Sequence, residues 1–489
     1  MINFGTDGWR AIISKDFTIE NLERVAVGIA KLIKSEARKN LEIYNIDYNR
    51  YPFASYKVQY RDYKSGVVVG YDHRFMSEYY AQKVAEVLTS FDIPVLLSNT
   101  PCSTPALSLK VFKNHAAGIM ITASHNPYFY NGVKYKAEYG GSATNEMTKM
   151  IENFLKEHSN SIIPKKEIID ASISLQQEYL ETIKSKIDIE KIKKFIEKNN
   201  ILIVVDYMFG VLSNSFKSII NSKNIIEINN NRNPYFNGGS PEPIPQNLRD
   251  LQNITRMLGE NAIGFAFDGD GDRIFAINYK EWISPHEILP LLAIHLVKNK
   301  KWHGKLIRTL PTSTKLKRLA DKMGLEAIET PVGFKYIADL FVKDNILIGG
   351  EESGGIGFKN HIPERDSLLN ALYIIEMLSD MNIKPIEILD YLHSFTGISY
   401  CYRKDSHFNS IEEQRENYQK FINNIEKIRN LINGTIEIRD YIKIVEDDKN
   451  WIVLRPSGTE PLIRIYSEAN TLDQAEEKVN KILQFLQDK

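Results

Sequence analysis

Short runs of β-branched and other apolar residues along this chain end in clusters of Gly, Asp or Ser and alternate with amphipathic stretches long enough for helices. That alternation predicts an α/β protein. Val67 to Gly70, then Asp72 to Arg74, precede a helical pattern through Leu88; Ile201 to Asp206 precede another; Leu306 to Thr309 precede a third near Lys315 to Met323. Each reads as a strand, a turn and a helix. A second apolar run in each region delivers a polar loop: Gly118 to Ile121 runs into TASHNP, Ile263 to Phe267 into DGDGD, and Ile346 to Ile348 into GGEESGG. This is an internal repeat of architecture with faint residue-level similarity. Open α/β sheets bind ligands beyond the carboxyl ends of their strands, so three such units would aim their loops at one shared cleft. Three unrelated domains with coincidental loops are the alternative.

The C-terminal part departs from this pattern. Ile436 to Val445 and Trp451 to Leu454 read as strands, followed by RPSGTEPLIRIY and an amphipathic helix from Leu472 to Leu486, which together predict a small α+β domain. Glu36 to Lys64, rich in Asn, Tyr and Lys, interrupts the first unit and reads as a surface insertion. A chain of 489 residues exceeds what one hydrophobic core serves, so about three or four domains are expected.

Composition removes several function classes. Hydrophobic residues at 43% and charged residues at 25% are ordinary for soluble globular domains. Lys plus Arg equals Asp plus Glu at 62 each, so no global field draws the chain onto nucleic acid or an anionic membrane. Any anion must be bound locally. Cys102 and Cys401 are too few for a disulfide framework and lack metal-ligand spacing, which fits a reducing cytoplasm. The N-terminus lacks the basic start and apolar run of a signal peptide, and no segment offers about 18 uninterrupted apolar residues. The expectation is a cytoplasmic chain that does not span a membrane.

Asp268, Asp270 and Asp272 alternate with Gly269 and Gly271 directly after an apolar strand. Three carboxylates on backbone freed by glycine can converge on one hard cation. An EF-hand would need Gly and Glu where Arg273 and Tyr279 stand, so Mg²⁺ is the expected ion, with open positions for a phosphate oxygen. A solvated acidic turn is the bland alternative. Ser124, in TASHNP, lacks a G-x-S-x-G elbow; a hydroxyl nucleophile needs exposure and activation, and a turn with a capping serine stays open. Arg455, Ser457, Gly458 and Thr459, with Arg464 beyond them, offer backbone N–H groups, hydroxyls and guanidinium to a phosphate dianion, although an ordinary Ser-Gly turn would look similar. No Walker loop occurs. Glu351, Glu352 and Ser353, between glycine pairs, can approach a polyol closely or can form a solvent loop. Adjacent glutamates on one loop match a glycosidase pair poorly.

Taken in order, FGTDGWR, TASHNP with NGVK, DGDGDR, GEESGG and RPSGTEP resemble the motifs of the α-D-phosphohexomutase family over nearly the whole chain. The resemblance implies three related mixed α/β domains plus a C-terminal α+β phosphate-binding domain around a central cleft. The boundaries expected are 1–165, 166–258, 259–395 and 396–489, with the metal and sugar loops both in the third domain. It implies an isomerase that interconverts hexose 1-phosphate and hexose 6-phosphate, with Ser124 as the phosphoserine and Asp268, Asp270, Asp272 and an oxygen at Ser124 holding Mg²⁺. Arg10, Lys134 and Arg273 are expected beside the reacting phosphate, with Lys134 as general acid or base and His125 and Arg10 assisting. Three carboxylates and a phosphate near −2 against one Mg²⁺ leave about −3 for such cations to offset.

The resemblance further gives Glu351 and Ser353 to the sugar hydroxyls and Gly333 and Lys335 to a positioning loop. Arg455, Ser457, Gly458, Thr459 and Arg464 would grip the phosphate that is not reacting. Phosphoserine donates to one hydroxyl, glucose 1,6-bisphosphate turns over in the cleft, and its other phosphate returns to Ser124. Some members carry His where this chain has Gly355, which leaves the second proton-transfer residue unassigned. The GEESGG form resembles phosphoglucomutases more than glucosamine- or acetylglucosamine-phosphate mutases. Mannose phosphate is the second substrate expected, because contacts to the 3- and 4-hydroxyls do not read carbon 2. The expected partner is a small hexose phosphate, with no nucleic acid or membrane, and the chain a monomer or homodimer. A phosphatase using the same loops and a non-catalytic sugar-phosphate binding protein are the other classes.

Overall fold

Val67–Tyr71 is buried along its whole length, which a strand tolerates when it lies inside a sheet with helices packed on it. It runs parallel to Val95–Leu97 on one side and Ala117–Ile121 on the other. Antiparallel Tyr130–Ala137 and Trp9–Ile12 and the edge strand Ile169–Asp170 complete a six-stranded sheet. The second sheet repeats the plan: Leu202–Asp206 lies between parallel Ile225–Ile228 and Ala262–Phe267, followed by antiparallel Ile274–Asn278 and Trp282–Ile283. In the third, Lys305–Thr309 lies between Ala327–Thr330 and Ile346–Gly350, with antiparallel Ile356–Phe358 beyond. The polar loop of every unit joins its third parallel strand to the antiparallel neighbour, so the repeat read from the sequence is a repeat of topology. This computed structural model describes residues 2, 4, 5, 8–156, 169, 170, 174–431, 434–458 and 460–487.

Sheet pairing corrects two expectations. Ala262–Phe267 pairs with Leu202–Asp206, so the acidic loop belongs to the second unit, which runs on through Ile283 rather than ending at 258. The helix Arg249–Leu258 and the turn at Gly259 look like the end of a unit, but they are the crossover to the strand that completes it. The strand expected over Ile436 to Val445 is a hairpin of Thr435–Ile438 and Ile442–Val445. The expected boundary at 165/166 lies outside the described residues.

The first three units share their cores. Val68 and Leu107 of the first, Phe265 of the second, and Leu292, Ile348 and Leu372 of the third lie in one continuous buried cluster. The fourth unit, a five-stranded antiparallel sheet, has its own core around Phe421, Ile452, Ile465 and Val479. It docks on the third through Leu310, Trp451, Val453 and Tyr466 and through the buried carboxylate of Glu468. That carboxylate accepts hydrogen bonds from Ser313 Oγ (2.7 Å), Ser399 Oγ (2.5 Å), the Thr314 N–H (2.8 Å) and Trp451 Nε1 (2.7 Å). Burial works against its charge, yet Arg318, Lys315 and these donors hold its pKa down at about 2.

The stretch 36–64 is more than a surface insertion. Arg38 is fully buried and donates to Glu138 at 2.8 Å. Ser55 Oγ donates to the Ile346 carbonyl (2.6 Å), while Tyr56 OH donates to the Phe358 carbonyl (2.6 Å) and accepts from the His361 N–H (3.2 Å). The insertion therefore straps the first unit to the two strands that carry GGEESGG. Among the described residues, no helix is long and apolar enough to cross a membrane.

Candidate active site

Ser124 has left-handed backbone at φ 52°, a conformation a non-glycine residue keeps only where its surroundings impose it. The clamp is Arg74, fully buried, whose Nη2 donates to the carbonyls of Ser124 and Asn126, both at 2.6 Å. Asp72 fixes Arg74 in turn and accepts from the Thr122 hydroxyl at 2.6 Å, and the Ser124 N–H donates to Thr122 Oγ1 at 2.8 Å. In the acidic loop, Asp268 Oδ1 accepts from the backbone N–H groups of Asp272 (3.0 Å) and Arg273 (3.1 Å). The two loops touch at Gly269, where a Cβ would stand 2.7 Å from the Ser124 carbonyl oxygen, so only glycine permits the approach.

At that contact Ser124 Oγ donates to Asp268 Oδ2 at 2.7 Å. Asp270 faces the start of the helix Thr104–Asn114, capped by Ser103; the Thr104 hydroxyl donates to Asp270 Oδ2 at 2.5 Å and the Thr104 N–H to its carbonyl at 2.9 Å. The positive end of that helix favours the carboxylate. One ligand oxygen from each of Asp268, Asp270 and Asp272 lies within 4.8 Å of the others, and all three residues are 0% exposed. Lys134 Nζ sits 2.7 Å from both Asp270 Oδ2 and Asp272 Oδ2. Burial, then the charges of Asp270 and Asp272, push the Asp268 carboxyl well above the usual carboxylate range. Burial pushes Asp270 the same way, but the Lys134 charge and hydrogen bond overcome it and hold Asp270 low. Asp270 Oδ1 and Asp272 Oδ1 are buried without a hydrogen-bond donor. All-oxygen donors with two such orphaned atoms fit a hard divalent cation.

The expected cations lie around this centre. Arg273 Nε is 3.8 Å from Asp272 Oδ1, and Arg10 Nη1 donates to Asn126 Oδ1 at 2.8 Å, beside the serine loop. His125 Nδ1 stands 3.5 Å from Ser124 Oγ. Burial, then Arg273, Arg10, Lys134 and Arg74, hold this imidazole well below its ordinary pKa, so it is neutral. Ser124 is 0% exposed, because Arg74 and Asp268 pack directly on it.

The remaining expected residues are more scattered. Glu351 is buried beside Arg365, and Ser353 is half-buried on the same loop. Gly333, at φ 128°, precedes the helix Phe334–Lys343, whereas Lys335 Nζ is turned to Asn145 Oδ1 at 2.6 Å. On the fourth sheet Arg455 pairs in register with Arg464, and Arg464 Nη2 donates to Glu460 at 2.9 Å. Ser457 Oγ accepts from the Glu460 N–H, and Gly458 has open space where a Cβ would stand. Thr459 lies outside the described residues. Arg403, on the adjacent strand, stacks over Tyr466 and grips Asp405 at 2.7 and 2.9 Å. Sequence reasoning missed Arg74, Thr104, Arg403 and Arg365. Only the deficit of positive charge counted around the triad pointed to further cations.

The family models for phosphoglucomutase/phosphomannomutase match four times in order: alpha/beta/alpha domain I over 52–161, domain II over 177–280, domain III over 284–395 and the C-terminal domain over 409–484. The chain belongs to the phosphoglucomutase/phosphomannomutase family. It is a phosphohexomutase, an isomerase of carbohydrate metabolism that acts by phosphoryl transfer. The domain II match contains the acidic loop, in agreement with the sheet pairing. A phosphoglucomutase/phosphomannomutase of Thermococcus kodakarensis is 28% identical over 99% of this chain and 98% of its own length. A phosphoglucosamine/phosphogalactosamine mutase of Sulfurisphaera tokodaii is also 28% identical, over 99% of each. Relatives at one level of identity thus carry different sugar names. A solved structure assigned as a phosphomannomutase of Thermus thermophilus superposes with a TM-score of 0.79 at 26% identity, covering 99% of both chains.

Proposed function

We propose that this phosphohexomutase interconverts hexose 1-phosphate and hexose 6-phosphate, with glucose preferred, by way of a phosphoserine at Ser124. The observation that carries the reading is the 2.7 Å bond from Ser124 Oγ to Asp268 Oδ2 inside a fully buried carboxylate triad. Buried carboxylates repel and are rarely kept without a cationic task. Asp268, Asp270, Asp272 and the Ser124 oxygen would hold Mg²⁺, which when bound supplies positive charge to the oxygens of the transferring phosphoryl group.

The chain's own groups do the rest. Phosphorus leaves Ser124 Oγ as a sugar hydroxyl oxygen attacks it; the neutral His125 takes that hydroxyl's proton while Lys134, charged beside its two carboxylates, gives one to Oγ, and the return transfer reverses both proton moves. Arg10, Arg273 and Lys134 offset charge on the phosphoryl oxygens. Glu351 and Ser353 hold sugar hydroxyls, with Gly333 and Lys335 beside them, while Arg455, Ser457, Gly458, Thr459 and Arg464 grip the other phosphate. The resulting glucose 1,6-bisphosphate turns over, and its second phosphate returns to Oγ through the same distal grip.

Glucose is favoured because the GEESGG form resembles phosphoglucomutases more than glucosamine-phosphate mutases. A dual activity toward mannose phosphate is the nearest second reading, since the first relative above carries both names. The protein would act in the cytoplasm as a monomer or homodimer. The test follows glucose, mannose and glucosamine phosphates by phosphorus NMR with a trace of glucose 1,6-bisphosphate. Isomer formation without inorganic phosphate, fastest for glucose, is expected. Phosphate release without isomer would make the protein a phosphatase, and no reaction at all would leave a binding protein.

A further inference from the structure

We propose that Arg365 is a positioning residue that ties the sugar loop to the acidic triad, and that residue 355 is glycine so that Arg365 can pass; the inference rests on the mutase reading. Arg365 is 3% exposed and reaches both the acidic loop and the sugar loop. Its Nη2 lies 3.0 Å from Asp272 Oδ2 in the acidic loop, and its Nη1 lies 3.7 Å from Glu351 Oε2 in the sugar loop. Its Nε donates to Glu364 Oε1 at 2.9 Å, and Glu364 is held in turn by Lys136 of the first unit at 2.5 Å. The guanidinium also lies over the ring of Phe334, 5.4 Å from its centroid, next to the loop of Gly333 and Lys335.

A guanidinium is a rigid planar fork, so its partners cannot shift independently. With Nε and Nη2 fixed on Glu364 and Asp272, the place of Nη1 is fixed as well. The Glu351 carboxylate, assigned to a sugar hydroxyl, is therefore oriented from the reaction centre. Arg365 moves no proton, because a guanidinium stays charged in proteins.

Gly355 supplies the independent observation. A Cβ there would stand 2.3 Å from Arg365 Cδ, 2.9 Å from its Cγ and 3.3 Å from Glu351 Oε2. Gly355 is not among the positive-φ glycines, so it answers to space rather than to backbone strain. The volume that a side chain at 355 would fill is the volume through which Arg365 runs.

The experiment measures glucose 1-phosphate binding by calorimetry in EDTA, where affinity is read without turnover, for wild type, Arg365→Met, Gly355→Ala, the double variant and Arg365→Lys. Each of the first two singles is expected to weaken binding about tenfold, or about 1.4 kcal/mol. The double should be no weaker than the worse single, because both changes remove one arrangement. Arg365→Lys should recover only part of the loss, since an ammonium lacks the fork. Losses that multiply in the double, or a Gly355→Ala protein that binds like wild type, would overturn the proposal. Thermal melting separates misfolding from lost positioning, and Gly355→Ala and Arg365→Lys are the milder arms if Arg365→Met fails to fold. A wild type that neither binds nor converts any hexose phosphate sinks the mutase reading and this inference with it. A wild type that does both, with singles that bind equally tightly, sinks this inference alone.

Discussion

Ser124 is held at φ 52° by hydrogen bonds from Arg74 to its carbonyl and from its own N–H to Thr122, so its hydroxyl meets Asp268 with little freedom left to lose. Ser124→Ala should abolish isomerisation yet leave a folded protein. The cost should be about 1–2 kcal/mol, for leaving a buried carboxylate oxygen without its donor. Activity and thermal melting of the purified variant check both halves. Asp270→Asn should raise the Mg²⁺ concentration for half-maximal activity and lower kcat together; an unchanged metal titration counts against Asp270 as a ligand. At this scale the sequence pointed to residues whose spacing carries their chemistry, because three aspartates on glycine-relieved backbone are able to converge on one cation. Arg74, Thr104 and Arg365 were illegible for the opposite reason. Arg74 stands far along the chain from the serine loop, and Thr104 and Arg365 far from the acidic loop, and nothing local distinguishes such a clamp from a surface residue.

At the scale of elements, alternation of apolar runs and polar loops revealed the repeated unit, because a buried parallel strand has to be apolar throughout. Where one unit ends was not legible, since Arg249–Leu258 is both the last helix before a strand and the crossover into it. The insertion was equally opaque: Ser55 and Tyr56 bond to backbone groups of the third unit, which carry no sequence signal. Tyr56→Phe should cost about 1–2 kcal/mol, because the removed hydroxyl leaves two buried backbone groups short of a partner. Denaturant unfolding measures it; wild-type stability would show that the strap contributes nothing.

At the scale of the molecule, three units with shared cores form one body and the fourth, with its own core, docks through a small apolar contact and Glu468. Glu468 has a folded pKa of about 2 against an ordinary 4.5, so its contribution is present above about pH 4.5 and is lost as pH falls toward 2. The shift corresponds to about 3 kcal/mol at neutral pH. Glu468→Gln should therefore be less stable than wild type by about that amount at pH 7, and the gap should shrink steadily below pH 4.5. A gap independent of pH would mean that the charge is not what holds the junction. The fourth domain carries Arg455 and Ser457, so the same variant should also raise KM for hexose phosphate.

The most direct measurement is the intact mass of the purified protein before and after exposure to sugar phosphates. The account predicts one added phosphate on wild type after glucose 1,6-bisphosphate, mapped to Ser124, absent from Ser124→Ala, and discharged on adding glucose 1-phosphate. Phosphate on another residue, or a phosphoserine that hexose phosphate leaves untouched, would contradict it.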